Sequence, residues 1–345
     1  HMAFSAIIKP TDYFNTKLWN GNSSTQAITG VGFSPDLVWG KQRTSTENHQ
    51  LLDVIRGANN ILVSNNDTGN TPDTNILNSF DSDGFTLGNQ NQLNDTGATY
   101  VSWNWKANGQ GSSNTDGSIN TTYTSANTTS GFSISTASMN ASGTWTVGHG
   151  LGVAPKVVLV KVTGATSDWW MWHESLGGGG KYIKLNTTGT SGNDSTVWNN
   201  AVPTSSVFSM GSNTWSQNTT FVAYCFADVQ GYSKFGSYTG NGNADGTFVY
   251  TGFKPAFIIL KTSTIAGNDW VLFDNKRLGY NVSNDSLKPN WNGAEQTGLD
   301  IDILSNGFKL RGAQNDINGS GGTYIYLAFA ETPFVANSGE SIPTT

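Results

Sequence analysis

The sequence predicts an all-β protein built of three tandem β-sandwich, jelly-roll-like repeats of about 100 residues each. Three observations carry this expectation. Charged residues make up only 12% of the 345-residue chain and 41 residues are Gly, whereas an ordinary soluble domain carries about 25% charge. The Lys, Glu and Leu that build surface helices are scarce. The chain is similar to itself at long intervals, the signature of a repeat architecture. Its apolar segments are short, β-branched and aromatic, and Gly, Asn and Asp clusters separate them, as turns separate antiparallel strands.

The self-similarity fixes the organisation. Gly32-Phe-Ser-Pro-Asp-Leu-Val-Trp-Gly-Lys41, Leu151-Gly-Val-Ala-Pro-Lys-Val-Val-Leu-Val-Lys161 and Gly252-Phe-Lys-Pro-Ala-Phe-Ile-Ile-Leu-Lys261 lie over one another. Pro35, Pro155 and Pro255 mark the period, and a Lys follows each Pro by six residues. Each copy ends alike, at Thr99–Trp105, Thr220–Phe226 and Thr323–Phe329. Ser82-Asp-Gly-Phe-Thr-Leu87 and Ser305-Asn-Gly-Phe-Lys-Leu310 precede two of those ends, while copy two keeps only Ser206–Met210 there and is the divergent copy. The division that follows is a tag and lead-in over 1–11, repeat one over 12–108, a linker over 109–118, repeat two over 119–230, repeat three over 231–334 and a tail over 335–345.

In copy three the pattern places strands near 233–239, 246–251, 256–262, 269–274, 278–283, 299–304, 307–311 and 322–330. Pro at a strand start removes no ladder hydrogen bond, which suits all three prolines. No segment shows helical periodicity with caps. Residues 108–118 hold no large apolar side chain and read as a linker or long loop.

Copy one carries Gly32-Phe-Ser-Pro-Asp-Leu-Val-Trp39, then Lys41, Arg43, His49, Asp53, Arg56 and Gly57, then Ser82-Asp-Gly-Phe85 and Tyr100-Val-Ser-Trp-Asn-Trp-Lys106. This resembles a repeated domain of unassigned function in virion structural proteins of tailed phages, particularly those of marine and freshwater bacteria. The resemblance covers copies one and three well and copy two loosely. It implies a virion particle protein, a tail fibre or another tail- or capsid-associated component, and brings no established catalytic residues.

The pairs Asp53 with Arg56 and Asp274 with Arg277 follow apolar strands three residues apart. A guanidinium there could grip a sugar hydroxyl or carboxylate, but a pair recurring at fixed places reads first as a fold determinant that pins a hairpin. Counting along copy two puts Glu174 and Gly177 in those positions. In Trp169-Trp-Met-Trp-His173, Trp170 aligns with Trp270 and Trp172 with Leu272, which makes Trp170 and Trp172 core. Trp169 at the strand start, with Trp198 and Trp215 in loops that the other copies do not match, are the expected exposed platforms for glycan, because a ring face stacks on the C–H surface of a sugar. Asp81–Gly84 and Asn241–Gly246 read as hairpin turns rather than calcium loops, since the downstream bidentate Glu is missing. Asp300 and Asp302 are left open between solvated and cation-binding.

An acidic pI of 5.1 without basic runs disfavours nucleic acid, and no apolar stretch suggests a membrane span. The single Cys225 forbids an internal disulfide and sits in an apolar strand. His49, His149 and His173 lack zinc-site spacing, and no nucleophile elbow or phosphate loop is present. The expectation is a non-enzymatic virion surface protein without metal or cofactor. Its expected partners are a host cell-surface glycan or receptor and other virion proteins, with a homotrimer as one arrangement. A polysaccharide depolymerase or lyase and a ligand-free capsid decoration are the alternatives.

Overall fold

The computed structural model describes residues 5–139, 143–212, 215, 218–277 and 281–333. It is nearly all β, with 44% strand and 4% helix. Among the described residues the α-helical turns are Asn91–Asn94 and Ser195–Trp198, four residues each. In copy three, strands stand at Ser233–Thr239, Phe248–Tyr250, Phe253–Thr262, Val271–Asp274, Ile301–Leu304, Gly307–Leu310 and Thr323–Pro333. The strand expected near 278–283 falls partly outside the described residues, and the tail over 335–345 lies wholly outside them.

Strand pairing stays within each copy, and each copy builds one large antiparallel sheet and one small one. In copy one the large sheet begins Phe14–Asn20, Thr99–Trp105, Leu37–Gln42, Gln50–Asp53, and the small sheet is Gln26–Thr29, Gly84–Leu87, Leu77–Asp81. The registers repeat. Leu37 faces Trp105, Val157 faces Phe226 and Phe257 faces Phe329. Pro35 and Pro155 stand two residues before their strands, whereas Pro255 lies inside Phe253–Thr262 at a register shift, the irregularity that admits a proline.

A lone sandwich alternates buried and exposed residues, because each sheet turns one face to water. Here Leu37–Gln42, Val157–Val162 and Ala256–Thr262 are buried without a break. One face of each large sheet packs on its own small sheet, around Val38 and Phe85 in copy one, Val158 and Phe208 in copy two, and Ile258 and Phe308 in copy three. The opposite faces of all three large sheets meet in one common core. At its centre the register-equivalent Trp105, Phe226 and Phe329 form a triangle, with ring centroids 6.4, 5.6 and 5.8 Å apart. The three copies thus close into a prism around a shared axis. A cavity of about 30 Å³ beside the triangle is lined by aliphatic and aromatic side chains, among them Leu37, Leu159, Met171 and Leu327.

The segment 109–118 is laid down on copy two rather than hanging between bodies. Ser112 bridges Thr124, the Asn114 amide N–H donates to the Thr121 hydroxyl, and the Asp36 carboxylate accepts the Ala107 and Gly109 amides. No described helix is long and apolar enough to cross a membrane.

Candidate functional site

The repeated Asp and Arg lie at the seams of the prism. Asp53 Oδ1 accepts the Arg56 amide, and its Oδ2 takes the Arg56 guanidinium at 2.6 Å and the Tyr224 hydroxyl of copy two at 2.6 Å. Asp274 repeats the arrangement one step round the prism, with Arg277 Nε at 2.6 Å and Trp103 Nε1 of copy one at 2.9 Å. Burial alone would raise the Asp274 carboxyl, but Arg277 and the Trp103 indole outweigh it and hold the group below the usual carboxylate range. Both motifs are filled by the protein itself. Arg56 spends its remaining donors on Asn60, Asn70 and Leu51, and Arg277 on Glu295 and Leu272.

Copy two corrects the counting made along the chain. Val157 pairs with His173, as Leu37 pairs with Asp53 and Phe257 with Asp274, so His173 and not Glu174 holds the junction position. Leu176, packed on the common core, then stands where Arg56 and Arg277 stand. The hairpin loop before this strand is one residue longer in copy three than in copy two, and that residue displaces a count carried from copy three. His173 Nδ1 accepts the Ser175 amide, which leaves Nε2 to donate to the Tyr326 carbonyl of copy three at 3.2 Å. A neutral pair of residues therefore does in copy two what an ion pair does elsewhere.

Burial lowers the His173 imidazole from 6.5 to about 4, and the Tyr326 carbonyl offsets only part of that. Between those values the unfolded chain takes up a proton that the folded chain refuses, so this side chain's contribution to stability falls as pH falls. The expected loss is about 2 kcal/mol between pH 7 and pH 5, absent in His173→Gln. Urea midpoints of both proteins at the two pH values test it, and equal losses in both would refute it.

The same one-residue slip governs the tryptophans, because a single step along a strand exchanges the two faces of a sheet. Lys161 pairs with Trp169, and the Leu260–Val271 pair sets Trp270 beside Lys261. Trp169, not Trp170, is thus the counterpart of Trp270. Both are fully buried in the common core, and each indole N–H reaches into the preceding copy, to the Val63 and Lys184 carbonyls. Trp198 and Trp215 are buried as well, at 2% and 3% exposure, packed against each other with rings tilted by 57° in the core between the sheets of copy two. The expectation of three exposed platforms is therefore corrected. Trp215 stands six residues before Phe221, the place that Asn94 and Asn318 hold before Tyr100 and Tyr324 in the other copies. Those two amides each tie loop carbonyls together, and in copy two paired indoles fill the space instead.

Other polar candidates also have partners inside the fold. Asp83 accepts the Gly30 and Gly32 amides, Asp81 takes Ser79 and Thr86 hydroxyls, Asn241 lies on Asn318, and Asp302 pairs with Arg311. Burial pushes the Cys225 thiol up. Among the described residues no three His, Cys, Asp or Glu gather as metal ligands would. Sequence reading missed that Lys41, Lys161 and Lys261 are fully buried, their ammonium groups on backbone carbonyls of Gln42, Asp67 and Asn268 and burial bringing each to about 8. Their fixed place in three apolar strands was the available signal.

Two open grooves lie at the junctions. One, of about 480 Å³ between copies one and two, has threonine hydroxyls (Thr122, Thr136, Thr163 and Thr220), the Asn60 and Asn70 amides, and Tyr123 on its walls. The other, of about 390 Å³, lies where copy two passes into copy three and is lined by Ser5, Asp228, Lys234, Tyr250 and Thr251. Tyr123 and Tyr250 are exposed, and Phe248 stands beside Tyr250 on the same strand face. Neither groove was legible as a groove in the sequence, because each is assembled from segments far apart in the chain.

No curated protein and no solved structure matches this chain. One family profile does, over residues 9–333, which takes in all three copies and the prism they form. By that match the chain belongs to the family described as a domain of unknown function, DUF7483.

Proposed function

We propose that this protein is a virion surface component of a tailed phage, a tail fibre or another tail- or capsid-associated part, that contributes to binding a host cell-surface glycan or receptor. The observation that carries the binding role is the pair of junction grooves. Each joins hydroxyl, amide or charged groups to an exposed tyrosine, the combination that meets a sugar's polar edge and apolar face together. The virion setting rests on the resemblance of the copy motifs to phage structural proteins. That the three units are copies of one jelly-roll-like sandwich is part of the same reading, supported by the matching registers at Leu37, Val157 and Phe257. A frame fused through one core suits a receptor binder, since loops that do not rearrange lose less entropy on binding. Other virion proteins are the remaining partners, and a homotrimer would group three such prisms.

The test is retention of the intact protein on immobilised envelope polysaccharide, read together with release of reducing ends. Retention without new reducing ends is the expected result. Release of sugar would make the protein a depolymerase, and neither retention nor release would make it a spacer.

A further inference from the structure

We propose that the Phe248–Tyr250 face of copy three, with the groove beside it, is the saccharide site, taking a pyranose ring through its C–H face and two neighbouring hydroxyls. The inference rests on the glycan-binding reading and gives it a place.

The registers show that the fold does not need these rings. Tyr250 pairs with Gly307, where copy one pairs Thr29 with Gly84 and copy two pairs Gly148 with Val207. Two pairs further along, Phe248 stands where the other copies have Ala27 and Thr146. Between them Val249, Ile28 and Val147 all point into the core. Small exposed residues satisfy these positions in copy one, and in copy two Gly148 is buried beneath Asn114, so only copy three exposes rings there, at 44% and 55%.

Both rings also stand beside glycines. A β-carbon at Gly307 would come within 3.2 Å of the Phe248 ring, and one at Gly252 within 3.5 Å of the Tyr250 hydroxyl. Each ring leaves about half of its surface to solvent. Alternate residues on a strand stand about 6.8 Å apart, so the two rings form one aromatic strip. Tyr250 then leads into the groove, where Asp228 and Lys234 stand together. Asp228 Oδ1 accepts the Phe235 amide at 2.9 Å, and the Lys234 charge acts on the carboxylate without an ion pair between them among the described residues. A sugar hydroxyl is both donor and acceptor. An open carboxylate and ammonium side by side offer it one of each, while the ring strip covers the adjacent C–H face. A protein partner fits less well, because a stable interface covers about 800 Å² on each side and two half-exposed rings supply only a fraction of that.

The test is an array of neutral and uronic-acid oligosaccharides probed with the intact protein, the double variant Phe248→Ala with Tyr250→Ala, and Tyr123→Ala. The double variant is expected to weaken binding about tenfold or more with unchanged melting, as loss of ring stacking does, and Tyr123→Ala to weaken it less than the double variant. Lys234→Gln is expected to weaken binding without shifting the melting point. If the parent protein binds no saccharide, the glycan reading falls and this inference with it. If the parent binds and the double variant binds equally well, the reading stands and the placement is wrong; loss in Tyr123→Ala instead moves the site to the other groove. Self-association of the parent in size-exclusion chromatography, abolished in the double variant, would assign the rings to a contact between copies of the chain and overturn the proposal.

Discussion

Phe329→Ala is expected to destabilise the whole protein, not one third of it, by about 3–5 kcal/mol. Phe329 is 1% exposed and touches Phe14 and Trp105 of copy one, Phe226 of copy two, and Phe235 and Phe257 of its own copy. Truncating it removes one corner of the central triangle and leaves a hole beside an existing cavity. Three sandwiches strung as beads would answer differently, with one domain melting early and two keeping their transitions. Because the inner faces of all three large sheets form one core, the expectation is a single denaturant transition moved as a unit. Hydrogen exchange checks this. Amides of the Leu37–Gln42 and Val157–Val162 strands should lose protection together with those of Phe253–Thr262, and protection lost in copy three alone would rule out the shared core as the seat of stability.

Asp274→Ala is expected to cost a similar amount, about 3–5 kcal/mol, by a different route. It leaves the Arg277 guanidinium, whose side chain is wholly buried, with Glu295 as its one remaining carboxylate, and it strands the Trp103 indole N–H. The cost is that of a buried guanidinium stripped of its closest carboxylate and of an indole N–H left without an acceptor. Copy two supplies the remedy, since His173 and Leu176 occupy the same positions without a charge. The double substitution Asp274→His with Arg277→Leu is therefore expected to be more stable than Asp274→Ala in urea denaturation. A double variant no better than the single one would mean that the ion pair itself is required. Acid acts on the same pair. Because the folded Asp274 carboxyl is held below its usual value, its contribution is present above the ordinary carboxylate range and is lost only as pH falls through the folded value.

The sequence was a good guide to elements and a poor one to faces. Seven of the strands expected in copy three are present within a few residues of their expected bounds, because alternation and turn residues are local properties. Glu174 and Trp170 were misplaced by one position each, because a one-residue change in hairpin length is invisible to counting and yet turns every following side chain over. Trp198 and Trp215, which looked unpaired, are buried against each other. Phe248 and Tyr250 passed unnoticed, although comparison with Ala27 and Thr29 would have marked them once the strands were paired.

Composition and turn residues alone mark the chain as β, and recurrence alone marks the Asp and Arg of copies one and three as a shared motif. Those conclusions rest on composition, periodicity and recurrence, which short stretches of chain carry. The common core, the place of Trp169 inside it and the rings that face water are properties of packing. Burial is set by what packs on a strand's second face, and here that neighbour comes from another copy about a hundred residues away in the chain.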